Sequence, residues 1–124
     1  MDVVLRGEFK GGIVKFSVEE QDKYLLLRIR ENIDFHGASS FKRACERLSS
    51  LGPRALIIET GDVDYICSSA LGSLIFLIRR FGDAGDPVCL VEPRSKLRKI
   101  FELLHIPRLV TFVESEERAY EELE

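Results

Sequence analysis

The apolar positions of this chain change their spacing as it proceeds, and those changes predict its elements. Ile13–Val18 and Tyr24–Arg30 read as two strands of a hairpin, separated by the polar tract Glu19-Glu20-Gln21-Asp22-Lys23. In the second strand Leu25, Leu27 and Ile29 alternate with Leu26, Arg28 and Arg30, so one face is wholly apolar and the other turns polar. Within residues 1–12, Met1–Leu5 is expected to add an edge strand. Over Ala38–Leu51, Phe41, Ala44, Cys45 and Leu48 recur at helical spacing, and Gly52-Pro53 is expected to end the helix.

Ala55–Ile58 is apolar on both faces, as a strand covered by helices on each side must be. Helical spacing returns over Ser69–Phe81 with a stripe of Leu71, Leu74, Ile75 and Ile78, followed by the turn-rich run Gly82–Pro87. Val88–Val91 is the next strand. A third helix, Arg94–Leu104, carries Leu97, Ile100, Phe101 and Leu104, and Val110–Val113 is the last strand. Ser115 can cap a final helix, with Glu116 and Glu117 well placed against the N-terminal end of its dipole. A hairpin followed by alternating helix and strand implies an α/β domain, its mixed sheet of four to six strands joined by right-handed crossovers and packed by about four helices.

Composition narrows the function more than the fold. A chain of 124 residues with 45% hydrophobic and 31% charged residues suits one globular domain spanning residues 1–124. Its net charge of −3, with both signs interspersed, lacks the one-sided excess of Lys and Arg that binding a phosphate backbone requires, so no nucleic-acid partner is expected. No apolar run approaches the ~20 residues of a membrane span, so no direct membrane insertion is expected and a cytoplasmic location is. Cys45, Cys67 and Cys89 are odd in number and widely spaced, which suggests reduced thiols, with no metal or other cofactor expected.

Only one short stretch offers candidate chemistry, the turn into the second helix, DVDYICSSALGSLIFLIRRF. A serine at a helix start is ordinarily a cap, its oxygen accepting an otherwise unpartnered backbone N–H. Cys67 beside it raises an enzymatic alternative with His36 as base, which would require the thiol and the ring to lie within hydrogen-bond reach. No enzyme activity is expected, because a lone His in a loop is more often solvated than a base. His105 is expected to end the third helix, and the acidic tail ESEERAYEELE to form a solvated helix face.

The same stretch resembles the signature of the STAS family, the domain of bacterial anti-sigma factor antagonists and sulfate transporters, in which a strand leads through Asp-Ser-Ser/Thr-Gly-Leu-Gly into a helix. The matching residues here are Cys67-Ser68-Ser69-Ala70-Leu71-Gly72, so Cys67 stands for the motif's Asp and Ala70 for its Gly. The segments ENIDFHGASSFKRACERL and PRSKLRKIFELLHIPRLVTFVESEERAYEEL extend the likeness over nearly the whole chain.

The resemblance implies a single-domain antagonist that binds an anti-sigma factor serine kinase, with Ser68, or less readily Ser69, as phospho-acceptor. It implies a protein partner and a monomer or weak dimer. The partner-binding surface expected on this basis comprises Asp34, Phe35, His36, Tyr65, Ile66, Cys67 and Ser69, extended along the helix by Ser73, Phe76, Leu77 and Arg80. Phe76 and Leu77 are expected to flank that helix's core stripe, where exposure would mark an interface. Loss of the motif's carboxylate at Cys67 supports an alternative, a constitutive adaptor in a regulatory or transport assembly that has no phospho-switch.

Overall fold

The computed structural model describes residues 3–6, 9–10, 13–51 and 54–124, with side chains from Lys15 onward. Its elements run β1 (Val3–Arg6), β2 (Phe9–Lys10), β3 (Ile13–Val14), β4 (Phe16–Glu20), β5 (Tyr24–Ile29), α1 (Ala38–Ser50) and β6 (Ala55–Glu59). There follow α2 (Ser68–Asp83), β7 (Val88–Val91), α3 (Ser95–Leu103), β8 (Thr111–Val113) and α4 (Glu116–Leu123).

The main sheet has six strands in the order β1-β4-β5-β6-β7-β8. β4 runs antiparallel to its neighbours β1 and β5, whereas β5 through β8 run parallel, each joined to the next through a helix. The expected first strand, Ile13–Val18, divides in two. Ile13 and Val14 pair with Phe9 and Lys10 in a separate ribbon, and the main-sheet strand begins at Phe16. It also continues through Glu19 and Glu20, which sequence assigned to the turn, because both face partners on β5 while their charges meet Arg28 and Arg54. The predicted stop at Gly52-Pro53 lies outside the described residues.

Strand alternation sorts the side chains into two layers. Leu25, Leu27, Leu56, Ile58, Val88 and Leu90 point toward α1, α2 and α3, where they bury Phe41, Leu48, Leu74, Leu77, Leu97 and Phe101. Phe16 and Phe41 meet edge to face at 5.3 Å and tie α1 to β4. On the opposite face Leu26, Ile57 and Cys89 form one lateral row, covered by Ala119 with Tyr120 and Leu123 of α4. The acidic tail is therefore docked on one side rather than wholly solvated. Ser115 caps it as expected, accepting from Arg118 N at 3.1 Å.

Beside this second layer, Arg28 pairs with Glu19 at 2.6 Å, Glu116 at 2.5 Å and Glu59 at 3.7 Å. Tyr120 donates to Glu116 at 3.1 Å. One arginine thus links β4, β5, β6 and α4. Burial pushes the thiol of Cys45 up to about 12 and raises that of Cys89, with nearby glutamates adding to each, as befits two core residues.

The second helix is rotated from its expected setting. Its buried stripe is Ala70, Leu74, Leu77, Ile78 and Phe81, while Leu71 and Ile75 are half-buried. Both stripes satisfy helical spacing, and packing against α1 and the sheet selects between them. At the end of α3, Leu104 is 39% exposed rather than core, and His105 takes a left-handed conformation with φ of 61° that stops the helix.

Candidate functional site

The parallel arrangement brings the ends of β5, β6 and β7 to one edge, where the loops into α1, α2 and α3 meet. After β5 the chain reaches Asp34, whose carboxylate accepts from the backbone N–H groups of His36 at 3.0 Å and Gly37 at 3.2 Å. This caps a short 3₁₀ turn, Phe35–Gly37, that feeds α1. Desolvation at Asp34 is outweighed by the Gly37 amide, by Lys15 at 3.9 Å and by His36, so its carboxyl is held below its ordinary value. Asp34 therefore organises the turn, while Phe35 beside it is 82% exposed.

After β6 the chain turns at Gly61, whose φ of 50° favours glycine. It then runs past buried Val63 to Tyr65, Ile66 and Cys67. This segment is joined to the loop after β5 by an isolated parallel bridge between Ile33 and Ile66. Ile33 N donates to Tyr65 O at 3.1 Å, and Cys67 N donates to Ile33 O at 2.8 Å.

Cys67 occupies the N-cap of α2, with φ −64° and ψ 160°, and its side chain makes no capping hydrogen bond. The thiol lies 3.5 Å from the Ser69 hydroxyl. Ser68 is the first residue of the helix and is exposed; among the described residues its hydroxyl makes no hydrogen bond. The ordinary capping role weighed for this serine is therefore not the one it has: the cap position falls one residue earlier. Ala70 is helical and fully buried, so the motif's glycine is replaced where alanine suits the backbone. His36 places its ring against Phe35 at 5.9 Å, and the thiol's partner is Ser69, so the geometry forms no Cys67–His36 hydrogen bond.

On these loops and along α2, Phe35, Tyr65 at 51% and Phe76 at 50% are exposed aromatics. Ser69, Ser73 and Phe76 line a groove between α1 and α2 that is closed on the other side by Lys42 and Glu46. Three residues expected at this surface are instead buried. Leu77 is 0% exposed because it points between α1 and the sheet, and Ile66 and Cys67 form the floor. Arg80 lines a different cleft with Ser49, Leu51 and Asp86.

Sequence reasoning did not single out Lys42, Glu46 or Asn32. The first two are an i, i+4 pair on the exposed face of α1, which the stripe of Phe41, Cys45 and Leu48 already defines. Asn32 accepts, through Oδ1, from the amides of Asp64 at 3.0 Å and Tyr65 at 3.3 Å. Only its residue type, one that commonly binds backbone in turns, was visible beforehand. Among the described residues no group of three or more His, Cys, Asp or Glu side chains could hold a metal ion, and no helix is long and apolar enough to cross a membrane.

A model of the STAS domain matches residues 15–119. A STAS-domain containing protein of Pseudomonas aeruginosa is 28% identical over 85 residues, which is 68% of this chain and 83% of that protein. A Thermotoga maritima protein assigned as an anti-sigma factor antagonist is 22% identical over 103 residues, 82% of this chain and 91% of its own. The crystal structure of a Thermotoga maritima protein so assigned superposes with a TM-score of 0.74 at 22% identity, covering 87% of this chain and 93% of that one. The Bacillus cell fate determinant SpoIIAA in its phosphorylated form superposes with a TM-score of 0.71 at 17% identity, covering 88% and 99%. At these identities the superpositions show a shared fold.

Proposed function

The chain belongs to the STAS domain family, and on that premise we propose that it is an anti-sigma factor antagonist whose hold on a kinase partner is switched by phosphorylation of Ser68. The observation that carries the reading is the entrance of α2. Ser68 is exposed, its hydroxyl is free of intramolecular hydrogen bonds, and the thiol in front of it leaves the helix's first amides without a side-chain acceptor. A phosphate there would meet unpartnered N–H groups and the positive end of the helix dipole, which together favour an anion. Its charge of roughly −2 would change a surface that otherwise presents Phe35, Tyr65 and Phe76 to a partner. Ser69 is less suited, because its hydroxyl is engaged with Cys67. The protein acts on this reading by binding, in the cytoplasm, as a monomer or weak dimer.

A second reading, the constitutive adaptor, is favoured by one observation: Cys67 supplies no carboxylate beside Ser68 to orient the hydroxyl or a kinase-bound magnesium ion. The two readings part on one measurement. The protein and its Ser68→Ala variant are incubated with Mg-ATP and lysate of the source organism, then subjected to intact-mass and peptide-mapping spectrometry. One phosphate on Ser68 that is absent from the variant is the expected result. No phosphate, under conditions that modify another antagonist, would refute the switch and leave the adaptor.

A further inference from the structure

We infer that Asn32 is a positioning residue for this surface: from the loop after β5 it sets the backbone of Asp64 and Tyr65, and through them the entrance of α2 that carries Ser68. The inference rests on the reading of Ser68 given above. Among the described residues Asn32 Oδ1 is the sole acceptor for two consecutive amides, Asp64 N and Tyr65 N. The residue after it continues the grip, since Ile33 N donates to Tyr65 O and Ile33 O accepts from Cys67 N. Two neighbouring residues thus hold four backbone groups, on Asp64, Tyr65 and Cys67, of the segment just ahead of the acceptor serine. A second restraint comes from the loop after β7, where Arg94 donates to Asp62 O at 3.3 Å and pairs with Asp64 at 3.7 Å. Tyr65 has no core packing to hold it, being half exposed, so hydrogen bonds decide where its ring stands.

Asn32 is itself exposed and belongs to neither buried cluster. Removing its side chain takes away an acceptor and no core volume, so the fold survives while the segment loosens. Among the described residues its amide nitrogen has no partner, and the oxygen does the holding. Aspartate, which keeps that oxygen, therefore preserves the grip, and alanine abolishes it.

The test compares the protein with Asn32→Ala and Asn32→Asp by amide hydrogen exchange, thermal melting and the rate of Ser68 phosphorylation by Mg-ATP and lysate. In Asn32→Ala, exchange at Asp64 and Tyr65 is expected to accelerate about five- to tenfold, the scale of one lost hydrogen bond. Ser68 phosphorylation is expected to slow several-fold, while β6 amides and the melting temperature hold, and Asn32→Asp is expected to restore both rates. Unchanged exchange at Asp64 and Tyr65, or acceleration spread evenly over the whole protein, would overturn the inference. So would faster local exchange with an unaltered phosphorylation rate. If the unsubstituted protein takes no phosphate, the reading of Ser68 fails, and exchange at these two amides alone decides whether Asn32 holds the loop.

Discussion

Replacing Arg28 with methionine removes the cation that Glu19, Glu59 and Glu116 share, while keeping a side chain of similar length on β5. Arg28 and Glu19 are each about a fifth exposed, with side-chain values of 21%. That places the cluster between a surface ion pair, worth roughly 0.2–1 kcal/mol, and a fully buried one, whose disruption costs roughly 3–5 kcal/mol. A loss of about 2 kcal/mol follows, which for a domain of this size lowers the melting temperature by roughly 6–10 °C.

The pH dependence sharpens the test. Donation from Gln21, followed by the bond and charge of Arg28, holds the Glu19 carboxyl below its ordinary 4.5 despite desolvation. A depressed carboxyl adds stability that is fully present above its unfolded value and is lost as pH falls through its folded one. In Arg28→Met the three carboxylates face one another without a cation, and their protonation relieves repulsion. The gap between the two proteins should therefore narrow on going from about pH 7 to about pH 5. Urea unfolding at both values, with exposed Arg118→Met as a control expected to cost under about 0.5 kcal/mol, measures it. A loss no larger than the control's, or a gap that widens on acidification, would refute the reasoning.

Two further outcomes are expected. In Cys67→Ser the hydroxyl can accept from the first amides of α2 where the thiol does not, raising stability by about 0.5–1 kcal/mol in urea titrations; no gain would mean that thiol packing outweighs the missing cap. Leu77→Ala should cost roughly 3 kcal/mol, whereas Phe76→Ala should stay within about 0.5 kcal/mol in the same assay and weaken partner binding instead. Similar losses from both would contradict the orientation of α2.

Much of the fold could be read beforehand because its parallel strands are buried on both sides. Ala55–Ile58 and Val88–Val91 announce themselves as unbroken apolar runs, and the match at Val88–Val91 is complete. The errors fell where two faces competed. Around α2, eight apolar side chains crowd a helix of 16 residues, so more than one stripe fits the spacing and packing against α1 and the sheet chooses Leu77 over Ile75. Glu19 and Glu20 looked like turn residues because their strand-borne charges are neutralised by Arg28 and Arg54, which are distant in sequence. At the site, a serine at a helix start was read as an ordinary cap, and the structure puts the cap position one residue earlier, at Cys67. Asn32 stayed hidden because its hydrogen bonds span more than thirty residues.

The bridge between Ile33 and Ile66 gives the molecule two unlike ends. At one, the loops after β5, β6 and β7 are laced together by Ile33, Asn32 and Arg94, so none can shift without dragging its neighbours. At the other, the turns at Gln21–Lys23 and Gly85–Pro87 meet β6 through single backbone bonds, from Ala55 N to Lys23 O and from Leu56 N to Pro87 O, and carry exposed residues at their tips. Inserted segments and attached probes belong at that second end, where a disturbance stays local. At the laced end the same insertion would meet hydrogen bonds shared among three loops.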